Sequence, residues 1–355
     1  MKNALALWGL LALSVLLTGC FGSGEDTGGN AAEPIAEIFM ESTEEATDKA
    51  QIEPQTSNDT HPEPAVISPL EAALLSHGDV IEAAPFTIPP WRLAPLIANI
   101  ESEGWEHTDF VLYSIRYKSD GYEVMGFVSA PTGFYEREHP ILIYNRGGNR
   151  DMGMLEPEWM AMLAMRGYIV LGSQYRGVAG GTGMEQFGGD EINDVLKLID
   201  IGQSFEFARQ GGVYMLGRSR GGMMTYIASR LDSRINAAAV WAAVSNSFES
   251  FYERDDQMQQ VYLDLIGGTP ETLPEEFERR SPVLWANEIK APLLIGHGGE
   301  ADWRVPTHHA VNMAAALAAH DMPHKLVIYP DGDHGIPAEF VDEMDEWFRL
   351  HPASE

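Results

Sequence analysis

Val213-Tyr214-Met215-Leu216-Gly217-Arg218-Ser219-Arg220-Gly221-Gly222 is the stretch on which the reading of this chain turns. Residues 213–216 form a short apolar run of the kind that makes a buried strand, and residues 219–230 continue as a helix. Between the two, Gly217-x-Ser219-x-Gly221 sets a serine on a sharp strand-to-helix turn. Glycines stand on either side because side chains would clash there. Such a turn lifts the hydroxyl above the end of a sheet, beside the positive end of a helix. A plain Gly-Ser surface turn is the alternative, and the flanking strand and helix favour a nucleophile.

The same signals repeat on both sides of this turn. Residues 110–117 and 122–130 alternate as strands around Ser119-Asp120-Gly121. Further strands are expected over 140–144, 168–172, 235–242, 292–296 and 325–329. Helices are expected over 159–165, 191–208, 308–320 and 338–350. A hairpin followed by alternating strands and helices predicts an α/β fold, a mostly parallel twisted sheet with helices on both faces. Residues 245–280 interrupt the alternation as a small cap insertion. Ligands of such sheets sit beyond the carboxyl ends of the strands, so the loops after each strand hold the candidate residues.

A serine needs a base, and the base needs a carboxylate to orient it. In this class of fold they follow the serine in the order acid, then histidine. Asp302 follows the strand at 292–296, and His334 follows the strand at 325–329. Glu300 and Asp333 compete for the acid's place. Asp333 adjoins His334, which makes an orienting bond to that ring awkward, so Asp302 is preferred. An acyl-transfer site also needs donors for an oxyanion. The N–H of Arg220 is one candidate. The loop Asn145-Arg146-Gly147-Gly148-Asn149 supplies the Gly148 N–H and, as a side chain, Arg146.

Composition narrows the partners. The 355 residues carry a formal net charge of -30, which argues against nucleic acid, since phosphate contacts need clustered Lys and Arg. The acidity serves solubility or, alternatively, steering of cationic substrates. The one cysteine, Cys20, excludes an intrachain disulfide. No His or Cys pattern for a metal and no phosphate loop is present in the sequence, so no cofactor is expected. Oligomeric state is not set by any of these features.

Near the N-terminus, Lys2 precedes an apolar run at 5–17, too short to span a membrane comfortably, and then Leu17-Thr18-Gly19-Cys20. This resembles the lipobox of bacterial lipoproteins; an ordinary signal peptide is the alternative. The resemblance implies a signal peptide over 1–19, cleavage before Cys20, and acyl chains on Cys20 that hold the protein on a membrane. With Phe21 rather than Asp next, it implies the cell envelope and the outer membrane facing the periplasm. Residues 20–66, rich in Gly, Glu, Thr and Pro, read as an acidic disordered tether. Residues 67–107 form an N-terminal extension with helical periodicity at 69–75 and 91–100, and 108–355 form the catalytic domain.

About residues 108–350 resemble the catalytic domain of the prolyl oligopeptidase family of serine peptidases. The resemblance rests on Arg146-Gly147-Gly148, Tyr175-Arg176-Gly177, Phe187-Gly188-Gly189-Asp190, the elbow at 217–222, Ser281-Pro282, Asp302-x-x-Val305-Pro306 and Asp333-His334-Gly335. It implies an α/β-hydrolase fold and a triad of Ser219, Asp302 and His334. It also implies an aromatic pocket from Phe248, Phe251 and Tyr252, which otherwise serve to anchor the cap. Asp190 and Asp194 are expected to serve the N-terminus of the helix they begin. Short peptides are the first expected substrates, esters including acylated sugars the second; a non-catalytic binding lipoprotein is a third reading.

Overall fold

Strands that are apolar on both faces need cover on both sides. The computed structural model describes residues 68–106 and 108–353; the expected signal peptide, Cys20 and tether lie outside them. In chain order the elements are α1 (Pro69–Ser76), β1 (Val80–Pro85), α2 (Pro90–Ser102), β2 (Phe110–Ser119), β3 (Tyr122–Pro131), β4 (His139–Asn145), α3 (Pro157–Met165), β5 (Ile169–Ser173), α4 (Ile192–Gln203), β6 (Ala208–Arg218) and α5 (Arg220–Leu231). They continue with β7 (Ile235–Trp241), α6 (Ser247–Glu253), α7 (Asp256–Ile266), α8 (Pro274–Arg279), β8 (Leu293–His297), α9 (His308–Ala318), β9 (His324–Ile328) and α10 (Ala338–Leu350).

The nine strands form one sheet in the order β1-β2-β3-β5-β4-β6-β7-β8-β9. The first three strands pair antiparallel, and β3 joins β5 antiparallel. From β5 to β9 all pairing is parallel. Successive residues leave the sheet on opposite sides. Ile141, Ile143, Val213 and Met215 enter one core with Val195, Leu198 and Met224 of α4 and α5. Leu142, Tyr144, Tyr214 and Leu216 enter the other with Trp159 and Met160 of α3 and Phe340 and Met344 of α10. This is the α/β-hydrolase architecture, with α6, α7 and α8 as the cap.

Register places the site. Asn145 pairs with Gly217, Arg218 with Trp241, Trp241 with Gly296, and His297 with Ile328. The loops leaving β4, β6, β8 and β9 therefore open at one edge. The chain runs from β4 to β5 on one side and returns to β6 on the other, which makes β4/β6 the point where strand order reverses.

Two expectations need correction. The helix expected over 191–208 ends at Gln203, and Ala208 already pairs with His139 in the sheet. Phe205 and Phe207 draw the chain off the helix by stacking on each other, and Phe207 meets Phe134 edge-on. The extension at 67–107 is part of the sheet, because β1 pairs antiparallel with β2 as its edge strand.

Candidate active site

Ser219 sits at φ 58°, ψ -124°, a strained conformation for a residue with a side chain. The strain is held from both sides. Its N–H donates to Trp241 O at 2.8 Å, and its carbonyl accepts the N–H of Gly222 at 2.9 Å. The turn closes so tightly that a Cβ on Gly217 would meet Gly221 O at 2.2 Å, and one on Gly221 would meet Asn145 O at 2.0 Å. The N–H of Arg220, in the first turn of α5, has no acceptor within its helix.

β8 ends at His297 and a short 3-10 turn, Gly299–Ala301, delivers Asp302. Its Oδ1 accepts the N–H groups of Arg304 at 2.9 Å and Val305 at 3.1 Å. Its Oδ2 accepts His334 Nδ1–H at 2.8 Å. A carboxylate only accepts, so the neutral ring carries its proton on Nδ1 and keeps Nε2 as a lone pair. The carbonyl of His334 is held by Trp241 Nε1–H at 3.1 Å. Burial opposes ionisation of Asp302, but the His334 hydrogen bond and charge hold its carboxyl below the ordinary value. Burial also lowers His334, with Asp302 pulling upward and Arg218 and Arg304 downward, and the ring ends below its ordinary value. Of the rival carboxylates, Asp333 accepts the Gly335 N–H at 2.7 Å, and Glu300 is exposed.

Ser219, Asp302 and His334 line one cavity of about 410 Å³, together with Gly147 and Gly148. The loop after β4 lies against Ser219, since a Cβ on Gly147 would stand 3.2 Å from Ser219 Cβ. Gly148 adopts φ +67°, and a Cβ there would run into Met152 O at 2.2 Å. Its carbonyl is held by Arg220 Nη1 at 3.2 Å. The Arg220 guanidinium is buried between the rings of Tyr175 and Phe187, 4.7 and 5.0 Å from their centroids. It bonds the carboxylates of Glu185 and Glu191. Glu185 also takes the N–H of Arg150, so the loop after β4 is tied to Arg220 at two points.

Other expected site residues fall elsewhere. Arg146 is 1% exposed, and its guanidinium donates to the carbonyls of Gln174, Gly147, Met152, Gly153 and Arg150. It shapes the loop from beneath and is turned away from an oxyanion. Phe248, Phe251 and Tyr252 do not line the cavity. Phe251 packs on Tyr252, Tyr262 and Phe277, Phe248 meets Phe277, and Tyr252 is 57% exposed with its hydroxyl on Glu271. The face of α6 toward the cavity brings Ser250 and then Arg254. Phe187, Val244, Met258, Tyr262, Trp303 and Val305 complete the wall. Asp194 stands in the first turn of α4, and its buried carboxylate also binds the guanidinium and N–H of Arg176. Sequence reading missed Arg254, Tyr262, Glu185 and Glu191. Arg254 follows the last residue of α6 in an extended conformation, and it lines the cavity together with Ser250.

Beside the cap, Glu249, Glu253, His308 and His309 bring donor atoms within 4.8 Å of one another. His309 Nδ1 accepts the Ser245 N–H at 3.2 Å, so its Nε2 carries the proton and donates to Glu253. That arrangement braces α6 against α9 and leaves His309 without a lone pair for a cation.

The model of the family described as "Prolyl oligopeptidase family" matches residues 156–350. An uncharacterized peptidase, YtmA of Bacillus subtilis (strain 168), is 30% identical over 245 residues, 67% of this chain and 93% of that protein. Acylaminoacyl peptidase of Pyrococcus horikoshii superposes with a TM-score of 0.62 at 23% identity, over 73% of this chain and 44% of its own. An acetyl xylan esterase from Paenibacillus sp. R4 superposes with a TM-score of 0.57 at 18% identity, over 79% of this chain and 92% of its own. At these identities the two structures speak for the fold alone.

Proposed function

The chain belongs to the prolyl oligopeptidase family, and on that premise we propose that it cleaves short peptides through an acyl-enzyme on Ser219. The observation that carries this is the Asp302–His334 hydrogen bond at 2.8 Å, in the same cavity as a serine held at positive φ. In the reaction so assigned, His334 Nε2 takes the Ser219 hydroxyl proton as Oγ attacks the scissile carbonyl. The carbonyl oxygen gains the negative charge and meets the N–H groups of Arg220 and Gly148. His334 then passes its proton to the leaving amine, the C–N bond breaks, and the acyl group stays on Oγ. Water, deprotonated by His334, releases the acid and restores Ser219.

Covalent labelling by a fluorophosphonate tests the nucleophile: wild-type protein is labelled and Ser219→Ala is not. An unlabelled wild type favours a binding protein instead. Ester hydrolysis is the second reading, since the same serine, base and oxyanion donors act equally on an acyl ester. Matched anilides and acyl esters separate the two, and ester turnover faster by orders of magnitude, with anilides idle, defeats the peptidase reading.

Lipid attachment at Cys20 and residence in the bacterial cell envelope, on the outer membrane facing the periplasm, belong to the same proposal. They are supported by Leu17-Thr18-Gly19-Cys20 and Phe21. Radiolabelled palmitate should enter the wild type and not Cys20→Ser; equal labelling of both counts against the anchor.

A further inference from the structure

The cavity has a charge opposite to that of the chain. The chain carries 23 basic and 53 acidic residues, and its arginines mostly meet carboxylates, as Arg150 meets Asp264 and Arg230 meets Glu288. Arg218, Arg254 and Arg304 line the cavity that Ser219 occupies, and among the described residues none of the three forms an ion pair. Half-buried Glu156 lies within electrostatic reach of Arg218.

Flanked in the chain by Glu253 and by Asp255, whose Oδ1 accepts the Met258 N–H at 2.9 Å, Arg254 forms no ion pair among the described residues. It follows α6 directly, and its neighbour Glu253 turns away to His308 at 2.9 Å and His309 at 3.1 Å. One Arg254 nitrogen, Nη1, donates to Arg304 O at 2.9 Å. The guanidinium stands 5.6 Å from the ring centre of Trp303, which is 67% exposed at the cavity mouth. A guanidinium has five N–H donors in a flat fork that matches a carboxylate. The cavity that Arg254 lines also presents the apolar side chains of Val244 and Met258 and the ring of Tyr262. The two carboxylates in the cavity are engaged elsewhere, Asp302 on His334 and Asp333 on the Gly335 N–H. Arg254 is half-buried, and a guanidinium with donors to spare takes a ligand carboxylate in a bidentate, charge-assisted pair.

We propose that the enzyme selects peptides with Asp or Glu as the residue whose carbonyl Ser219 attacks, and that Arg254 binds that side-chain carboxylate. This rests on the peptidase reading above. It runs against the steering of cations that net charge alone suggests.

The test uses the full chain and acetyl-Ala-Xaa-p-nitroanilides with Glu, Gln, Leu or Lys at Xaa. Wild-type kcat/KM should favour Glu over Gln by at least about tenfold, and the ratio should shrink as salt rises. Arg254→Met should bring the Glu/Gln ratio close to one, Arg254→Lys should keep part of it, and Arg254→Glu should move preference to Lys. Fluorophosphonate labelling of each variant reports a formed site, and Arg254→Lys serves if Arg254→Met does not label. Cleavage of the Gln and Leu anilides with no preference for Glu, or a ratio unmoved by Arg254→Met, overturns the proposal and leaves the peptidase reading standing. No cleavage of any anilide overturns the peptidase reading and the preference with it.

Discussion

Replacing Asp302 by Asn removes one charge and leaves the fold of the loop in place. Oδ1 of Asp302 takes the N–H groups of Arg304 and Val305. An Asn amide oxygen satisfies both donors only if its NH2 occupies the position of Oδ2, 2.8 Å from His334 Nδ1. Two donors cannot face each other, so the ring must carry its proton on Nε2 and present a lone pair at Nδ1. The nitrogen that should strip the Ser219 proton is then already protonated. Loss of the correct tautomer costs about 10⁴ in kcat in serine proteases, or about 5 kcal/mol of barrier. A fall of about 10³- to 10⁴-fold in kcat is expected, with KM little changed and the thermal unfolding midpoint nearly that of wild type. The assay is steady-state hydrolysis beside the rate of fluorophosphonate labelling. A variant that keeps a tenth or more of wild-type kcat, while Asp333→Asn or Glu300→Gln loses activity, would refute the assignment of Asp302.

Three more outcomes follow from other parts of the site. His334 is lowered from 6.5 mainly by burial, and only the neutral ring acts as base. Hence kcat/KM should rise with pH through a midpoint below 6.5 and then level off; a midpoint above 7 contradicts the environment described. Glu191→Gln leaves the buried Arg220 with only Glu185 as counter-ion and should cost about 3 kcal/mol, seen as a shift of the urea midpoint; an unchanged midpoint speaks against the network. Tyr252 is exposed, whereas buried Tyr262 lines the cavity. Tyr252→Ala should leave kcat/KM within about twofold, while Tyr262→Ala should lower stability by about 3 kcal/mol or more, as thermal unfolding would report.

Much of this was legible in the linear chain because the relevant signals are local. An apolar run, a glycine-flanked serine and a helix are ten residues apart at most, and the flanking glycines mark a turn tight enough to hold Ser219 at positive φ. The order of Asp302 and His334 after their strands could likewise be read from alternating elements. β1 could not: its edge position leaves it mostly exposed, without the alternation that marks a half-buried strand, and pairing with β2 alone makes it one. The end of α4 was misjudged because Phe205 and Phe207 fit a helical pattern, while Phe134, more than seventy residues away, decided where they go.

Charge partners and side-chain direction belonged to the tertiary structure. Sequence placed Arg146 in the oxyanion loop, yet carbonyls from Gln174, Met152 and Gly153 fold around its guanidinium and use its donors. Sequence marked the aromatics of α6, yet Phe251 packs on Tyr262 and Phe277, and Ser250 and Arg254 are the residues that line the cavity. The residues of the chain therefore determined the sheet, the elbow and the kinds of group that could do the chemistry, since backbone sterics and apolar periodicity act over a few residues. Which arginines lost their counter-ions, and which side chains line the cavity, depended on contacts between segments far apart in sequence, where burial and ion pairing are settled only when the layers close.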